Sequence, residues 1–182
     1  MRSQITASAV GLLSLFAALP AQAEASPTAG HASAAALLGN GFKDGVGIGL
    51  GVRGGYTLPM NVYVGGTFIY HLGKSEATAF GDFKVNIYYF GGEVGYDIAA
   101  GPVMVRPYLG LGPATATATV PGFSAGGVSF PSQSSSDTKF GFWPGATGLF
   151  PIGNAFVGAD ARFLVVSDFN AFSLFATGGL QF

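Results

Sequence analysis

The sequence predicts an all-β chain: an eight-stranded antiparallel up-and-down β-barrel whose apolar outer face meets lipid. Three observations carry this expectation. Apolar residues make up 49% of the chain and charged ones only 9%, against about 25% charged in ordinary soluble domains. Beyond the N-terminus no apolar run reaches the roughly 18 residues of a spanning helix, and thirty glycines and ten prolines interrupt helices throughout. Finally, apolar residues recur at every second position in segment after segment, the period of a strand with one apolar face. A soluble β-sandwich is the competing architecture.

Residues 1–23 read as an export signal peptide. Arg2 supplies the positive end, Val10–Leu19 an apolar core too short to cross a bilayer, and Ala21–Ala23 a small-residue cleavage site before Glu24. Cleavage there removes Arg2 and leaves seven Lys and Arg against nine Asp and Glu. Residues 24–32 read as a short linker that contains His31. The barrel is expected over 33–182.

Its strands follow in order. Residues 33–41 are the weakest case, because their Ala-rich stretch also suits a helix. Residues 45–58 place Val46, Ile48, Leu50, Val52, Gly54, Tyr56 and Leu58 on one face. Residues 62–72 put Val64, Phe68, Tyr70 and Leu72 outward. Residues 83–98 put Tyr88, Phe90, Val94 and Tyr96 outward, with Asn86 and Glu93 inward. Segments 103–119, 138–150 and 155–166 follow. The closing segment, 171–182, alternates through Phe172, Leu174, Leu180 and Phe182. In a soluble domain such an apolar strand is a pairing hazard; against lipid it is an asset. The even count suits a bacterial single-chain barrel.

The connections sort in the same sense. Those at Leu58–Asn61, Ala99–Pro102 and Phe150–Asn154 are tight, while 73–82 and 120–137 are long. Short turns on one side and longer loops on the other is the pattern of membrane barrels. Pairing about the first two turns is expected to set Phe68 beside Leu50, Tyr56 beside Val62, and Glu93 opposite Arg106. Tyr56, Tyr96, Phe150 and Phe182 at one end, and Tyr70, Phe140 and Phe163 at the other, predict two aromatic girdles. Pro107, Pro113 and Pro144 fall inside strands, where each lacks a ladder donor. Bulges, or ladders that rise beyond the membrane, are expected there.

The inward set contains Arg53, Glu93, Arg106, Asp160 and Arg162, with Tyr108 and Trp143. A catalytic or ion-selective constellation is one reading. The plainer one is an ion-pair network filling a narrow lumen, because eight strands leave room only for side chains and buried charges must pair. Inward glycines over 45–51 are expected to make room for the arginines. Gly49, Gly51 and Gly54 match G-x-G-x-x-G, yet the glycines lie within a strand and no helix follows, so nucleotide binding is not expected. His71, with Ser75 and Glu76 beyond it, offers a nucleophile set on paper; a polar rim histidine is the simpler reading. No metal cluster is visible and no cofactor is expected. The chain has no cysteine, which removes disulfides and thiolate chemistry. A formal charge of −1 without a basic run argues against nucleic acid.

The stretches GLGVRGGYTLP, VYVGGTFIYHLG, YYFGGEVGYDI, VRPYLGLG and FVGADARF, with the terminal LQF, together resemble the outer-membrane barrel domain of the OmpA/OmpX-like superfamily over about residues 32–182. The resemblance implies location in the Gram-negative outer membrane, contact with its lipid and lipopolysaccharide, and a monomer. It also implies that Phe182 serves as the C-terminal signal read by the barrel assembly machinery. The function expected is structural or interactive, without catalysis. An OmpW-like narrow channel for small apolar solutes is the alternative, and lipid A modification a more distant one.

Overall fold

The computed structural model describes residues 28–42, 46–73, 75–78, 81–125 and 128–182. The expected export signal lies outside them. Twelve strands follow in chain order: β1 (Ala32–Gly41), β2 (Ile48–Thr57), β3 (Val62–His71), β4 (Ser75–Thr78), β5 (Gly81–Tyr96), β6 (Ile98–Ala100), β7 (Val103–Val120), β8 (Phe123–Ala125), β9 (Val128–Phe130), β10 (Gln133–Ile152), β11 (Ala155–Val166) and β12 (Phe169–Gln181). Eight of them close a ring, β1–β2–β3–β5–β7–β10–β11–β12 and back to β1, every pair antiparallel. Closure removes the sheet edges within the ring. Phe182 and Ala32 exchange two backbone hydrogen bonds at the seam. The Ala-rich first segment is therefore a strand, held on both sides by β12 and β2.

The tight links are real turns with specific chemistry. Asn61 takes a positive φ of 65° where Leu58 and Val62 meet in a three-residue connection, the familiar type I turn plus left-handed residue. Gly101 and Gly153 also have positive φ, and each opens a two-residue turn.

Both predicted hairpin registers are displaced by an even number of residues. Phe68 faces Val52 rather than Leu50, and Tyr56 faces Val64 rather than Val62. Glu93 faces Gly110, not Arg106, because the hairpin reverses at Gly101–Pro102, later in the chain than expected. An even slip keeps every side chain on its face, so the inside–outside pattern survives. Two residues do change sides. Val46 precedes β2 and folds inward, 1% exposed, against Ile87 and Ala171. Asn86 shares the outward parity of Tyr88 and Phe90, and it accepts a hydrogen bond from the Gly73 amide.

The prolines cause gaps, not bulges. Along β5–β7 the ladder lapses between Tyr89–Ala114 and Gly92–Leu111, beside Pro113, and resumes in the same register. It lapses again beside Pro107, which is what separates β5 from β6. The β10–β11 ladder lapses between Phe142–Val165 and Gly145–Arg162, beside Pro144. On their other side all three lie in the unbroken β7–β10 ladder. Ladders do rise beyond the shorter strands: β7 and β10 stay paired out to Val120 and Gln133. The segment read as a loop, 120–137, is thus largely strand, with β8 and β9 paired at its tip. Thr115–Thr138, Thr117–Ser136 and Thr119–Ser134 hydroxyl contacts lace this extension.

Outward positions are apolar and exposed all round the ring, among them Ile48, Val52, Val64, Phe90, Val94, Leu111, Phe150, Val157 and Leu180. Inward positions are buried and mixed: Leu37, Tyr63, Ile69, Tyr89, Tyr108, Trp143 and Phe175 alternate with charged and hydroxyl groups.

Candidate functional site

The site is the lumen. Its central layer is built by inward side chains of five strands. Arg53 comes from β2, Glu93 from β5, Thr147 from β10, Asp160 and Arg162 from β11, and Tyr108 from β7. Arg53 Nη2 lies 2.8 Å from Asp160 Oδ2, and Arg162 Nε donates to Asp160 Oδ1 at 2.8 Å. Thr147 Oγ1 donates to Asp160 at 2.6 Å while accepting from Arg53 Nη1 at 2.8 Å. The Tyr108 hydroxyl reaches both Asp160 oxygens, at 2.9 and 3.0 Å. Asp160 is thus satisfied from four sides, which is what a carboxylate with no exposure requires.

Glu93 sits on the other side of the layer. Trp143 Nε1 donates to its Oε1 at 2.9 Å. Arg53 Nε lies 2.7 Å from its Oε2, a charge contact without hydrogen-bond alignment, and Arg162 Nη1 is 3.6 Å from Oε1. Two guanidiniums therefore face two carboxylates. The Arg53 guanidinium also lies 4.5 Å from the Tyr108 ring centre, and Arg162 lies 5.3 Å from that of Phe175, so the rings add cation–π attraction in a desolvated setting.

A second cluster lies nearer the chain termini. Arg106 Nη2 donates to Asp97 Oδ2 at 2.8 Å, and its Nε reaches Oδ1. The Thr57 hydroxyl donates to Asp97 at 3.2 Å, the Thr28 hydroxyl also donates to Asp97, and Arg106 stacks 3.8 Å from the Tyr63 ring centre. Thr28, expected in the short linker, is 2% exposed and packs into this cluster.

Of the five charged residues read from the sequence, the structure brings Arg53, Glu93, Asp160 and Arg162 together. Arg106 belongs to the second cluster, with Asp97 as its partner rather than Glu93. Asp97, Thr57, Thr147, Tyr63 and Tyr89 were not singled out by the sequence. Asp97 was legible in principle, since it shares the inward parity of Glu93 and Gly95. Of the glycines expected to make room for arginines, Gly49 makes room for rings and Gly51 for Ile69, while Gly45 lies outside the described residues. A Cβ on Gly49 would lie 2.7 Å from the His71 ring, one on Gly110 1.9 Å from Trp143 Nε1, and one on Gly145 2.4 Å from the Tyr108 hydroxyl.

His71 is not a rim residue. It is 2% exposed, stacked 6.1 Å from Tyr89 and tilted against Phe175 at 5.7 Å, with Nδ1 3.3 Å from the Gly47 carbonyl. The Ser75 and Glu76 side chains lie outside the described ones. His31 Nδ1 lies 3.2 Å from the Phe182 carbonyl. The glycines of the G-x-G-x-x-G match lie in β2 and in no strand-to-helix turn.

A closed antiparallel ring, apolar outside and packed with matched charges inside, defines a membrane β-barrel. The chain belongs to the outer membrane protein beta-barrel domain family, whose signature spans residues 8–182. Among solved structures it is similar to Ail, the attachment invasion locus protein of Yersinia pestis, at 19% identity, TM-score 0.54, covering 84% of this chain and 97% of that one. It is also similar to the N-terminal β-barrel domain of Pseudomonas aeruginosa OprF, at 16% identity, TM-score 0.52 and coverage of 84% and 97%. A major outer membrane protein of Thermus thermophilus matches at 14% identity, TM-score 0.58 and coverage of 83% and 99%. These likenesses concern the fold. No curated protein matches the chain in sequence.

Proposed function

We propose that the protein is a monomeric outer-membrane barrel whose task is structural or interactive, without catalysis or a through-channel. It occupies the membrane, with lipid and lipopolysaccharide around its outward face, and presents the β7–β10 extension on the cell surface. The observation that carries this reading is the balanced ionic plug. Two arginines and two acids cross the lumen at mid-height, and the Arg106–Asp97 pair blocks it again toward the termini. An apolar solute passing through would strip partners from charges that have no water to replace them. The plug thus weighs against the narrow-channel alternative. The packing of His71 between two rings weighs against its use as a general base.

The test is gel mobility of the outer-membrane fraction, with and without boiling in SDS. A heat-dependent shift is expected of a closed barrel; a soluble protein with one mobility would overturn the reading. We also propose that the outward face of β12, with Phe182 following it, is read by the barrel assembly machinery. Phe182→Ala should then lower the outer-membrane level severalfold, and an unchanged level would remove that role.

A further inference from the structure

Beyond the plug, the lumen opens at the end opposite the termini into a cavity of about 230 Å³. Its walls are Val85, Ile87, Ala114, Leu164, Val166 and Phe169, with Thr115, Asp137, Lys139 and Asp168 among the remaining lining residues. The polar groups are already engaged. Thr115 Oγ1 pairs with Thr138 Oγ1 at 2.8 Å. Lys139 Nζ bridges Asp137, at 3.2 Å, and Asp168. Ala114 and Leu164 join the buried cluster of Trp143 and Tyr89 below, and those two rings, both without exposure, seal the cavity from the plug.

We propose that this mouth cavity is a binding site for a small uncharged, hydrocarbon-rich molecule. Size, lining and polarity all point the same way. The cavity exceeds the ~150 Å³ hole that suffices for benzene in an engineered protein, and it falls just short of drug-sized pockets. Its walls offer apolar contact, and covering them would remove apolar surface from water. Its polar groups satisfy one another, so they select neither a head group nor a charge. The ligand enters from the mouth and stops there, because the floor is closed. This site is separate from the plug and does not depend on the structural role proposed above.

Trp143 is the single tryptophan of the chain, and it lies in the cluster beneath the cavity. The barrel would be reconstituted in nanodiscs and titrated with 4-bromobenzyl alcohol while Trp143 fluorescence is read. Saturable quenching is expected, and it should be lost in Ala114→Phe, which fills the cavity from its wall, provided that variant keeps its heat-dependent gel mobility. Val166→Phe serves the same purpose should Ala114→Phe fail to fold. Quenching that rises without saturation and equally in filled variants would mean partitioning into lipid only, and would overturn the site. Saturation that survives both fillings would overturn it too.

Discussion

The two ends of the lumen solve the problem of a narrow barrel in opposite ways. From mid-height to the termini, the interior carries the ion pairs, Arg53 and Arg162 against Glu93 and Asp160, then Arg106 against Asp97, beside the apolar Met104, Leu149 and Phe156. Toward the opposite mouth the buried positions are apolar, Val46, Ile87 and Ala171 with Val85 and Phe169 beside them, and the charges Lys139, Asp137 and Asp168 pair in exposed positions. The difference lies in what each end can leave unfilled. A charge in a dry interior must be matched, so the ionic half fills its cross-section with oppositely charged groups. Apolar walls have no such demand, and there a void persists. In the proposed reading the ionic half closes the barrel, and the apolar half leaves the room for the proposed ligand.

Breaking the ionic half should cost most. Asp160→Ala strands Arg53 and Arg162 together and should lower the unfolding free energy by about 3–5 kcal/mol, read by urea titration of the barrel refolded in lipid vesicles. The adjacent positions 52 and 53 make a sharper test. Arg53 is matched inside, whereas Val52 is 59% exposed on the outward face. Val52→Arg should cost about 2–4 kcal/mol in the same assay, because an arginine near the bilayer midplane has no partner. Glu93→Gln keeps the Trp143 hydrogen bond but removes the charge facing Arg53 and Arg162. It should cost about 1.5–3 kcal/mol, because Arg53 Nη2, 3.4 Å from Oε1, loses its charged acceptor. At the mouth, Lys139→Ala should leave unfolding unchanged within error, since its ion pairs face water. A cost at Lys139 comparable to that at Glu93 would erase the contrast between the two ends.

Much of the barrel was legible because period-two alternation survives errors of register. Glu93, Val94 and Tyr96 kept their faces although the hairpin slipped by an even step relative to the expectation. The partner of Arg106 was not legible for the same reason. Parity tells which side a residue faces, but pairing depends on turn geometry, and only Gly101 at positive φ fixes it. Thr147 and Thr57 were missed because a single inward threonine carries no signal until its neighbours across the ring are known. Val46 faces inward against the parity of Ile48 and Leu50 because it precedes the paired residues of β2. The proline-bearing strands were read correctly as strands. Their cost was misjudged, because a proline with an intact ladder on its other side needs only a local gap.

The central claim is that matched charges close the lumen, and single-barrel conductance in a planar bilayer tests it most directly. No discrete conducting steps are expected for the wild-type protein, nor for an Asp160→Ala, Arg53→Ala double variant in which the Arg106–Asp97 pair still crosses the lumen; they should appear when Arg106→Ala and Asp97→Ala are added. Stable ohmic steps through the wild-type barrel, unchanged when all four charges are removed, would contradict it.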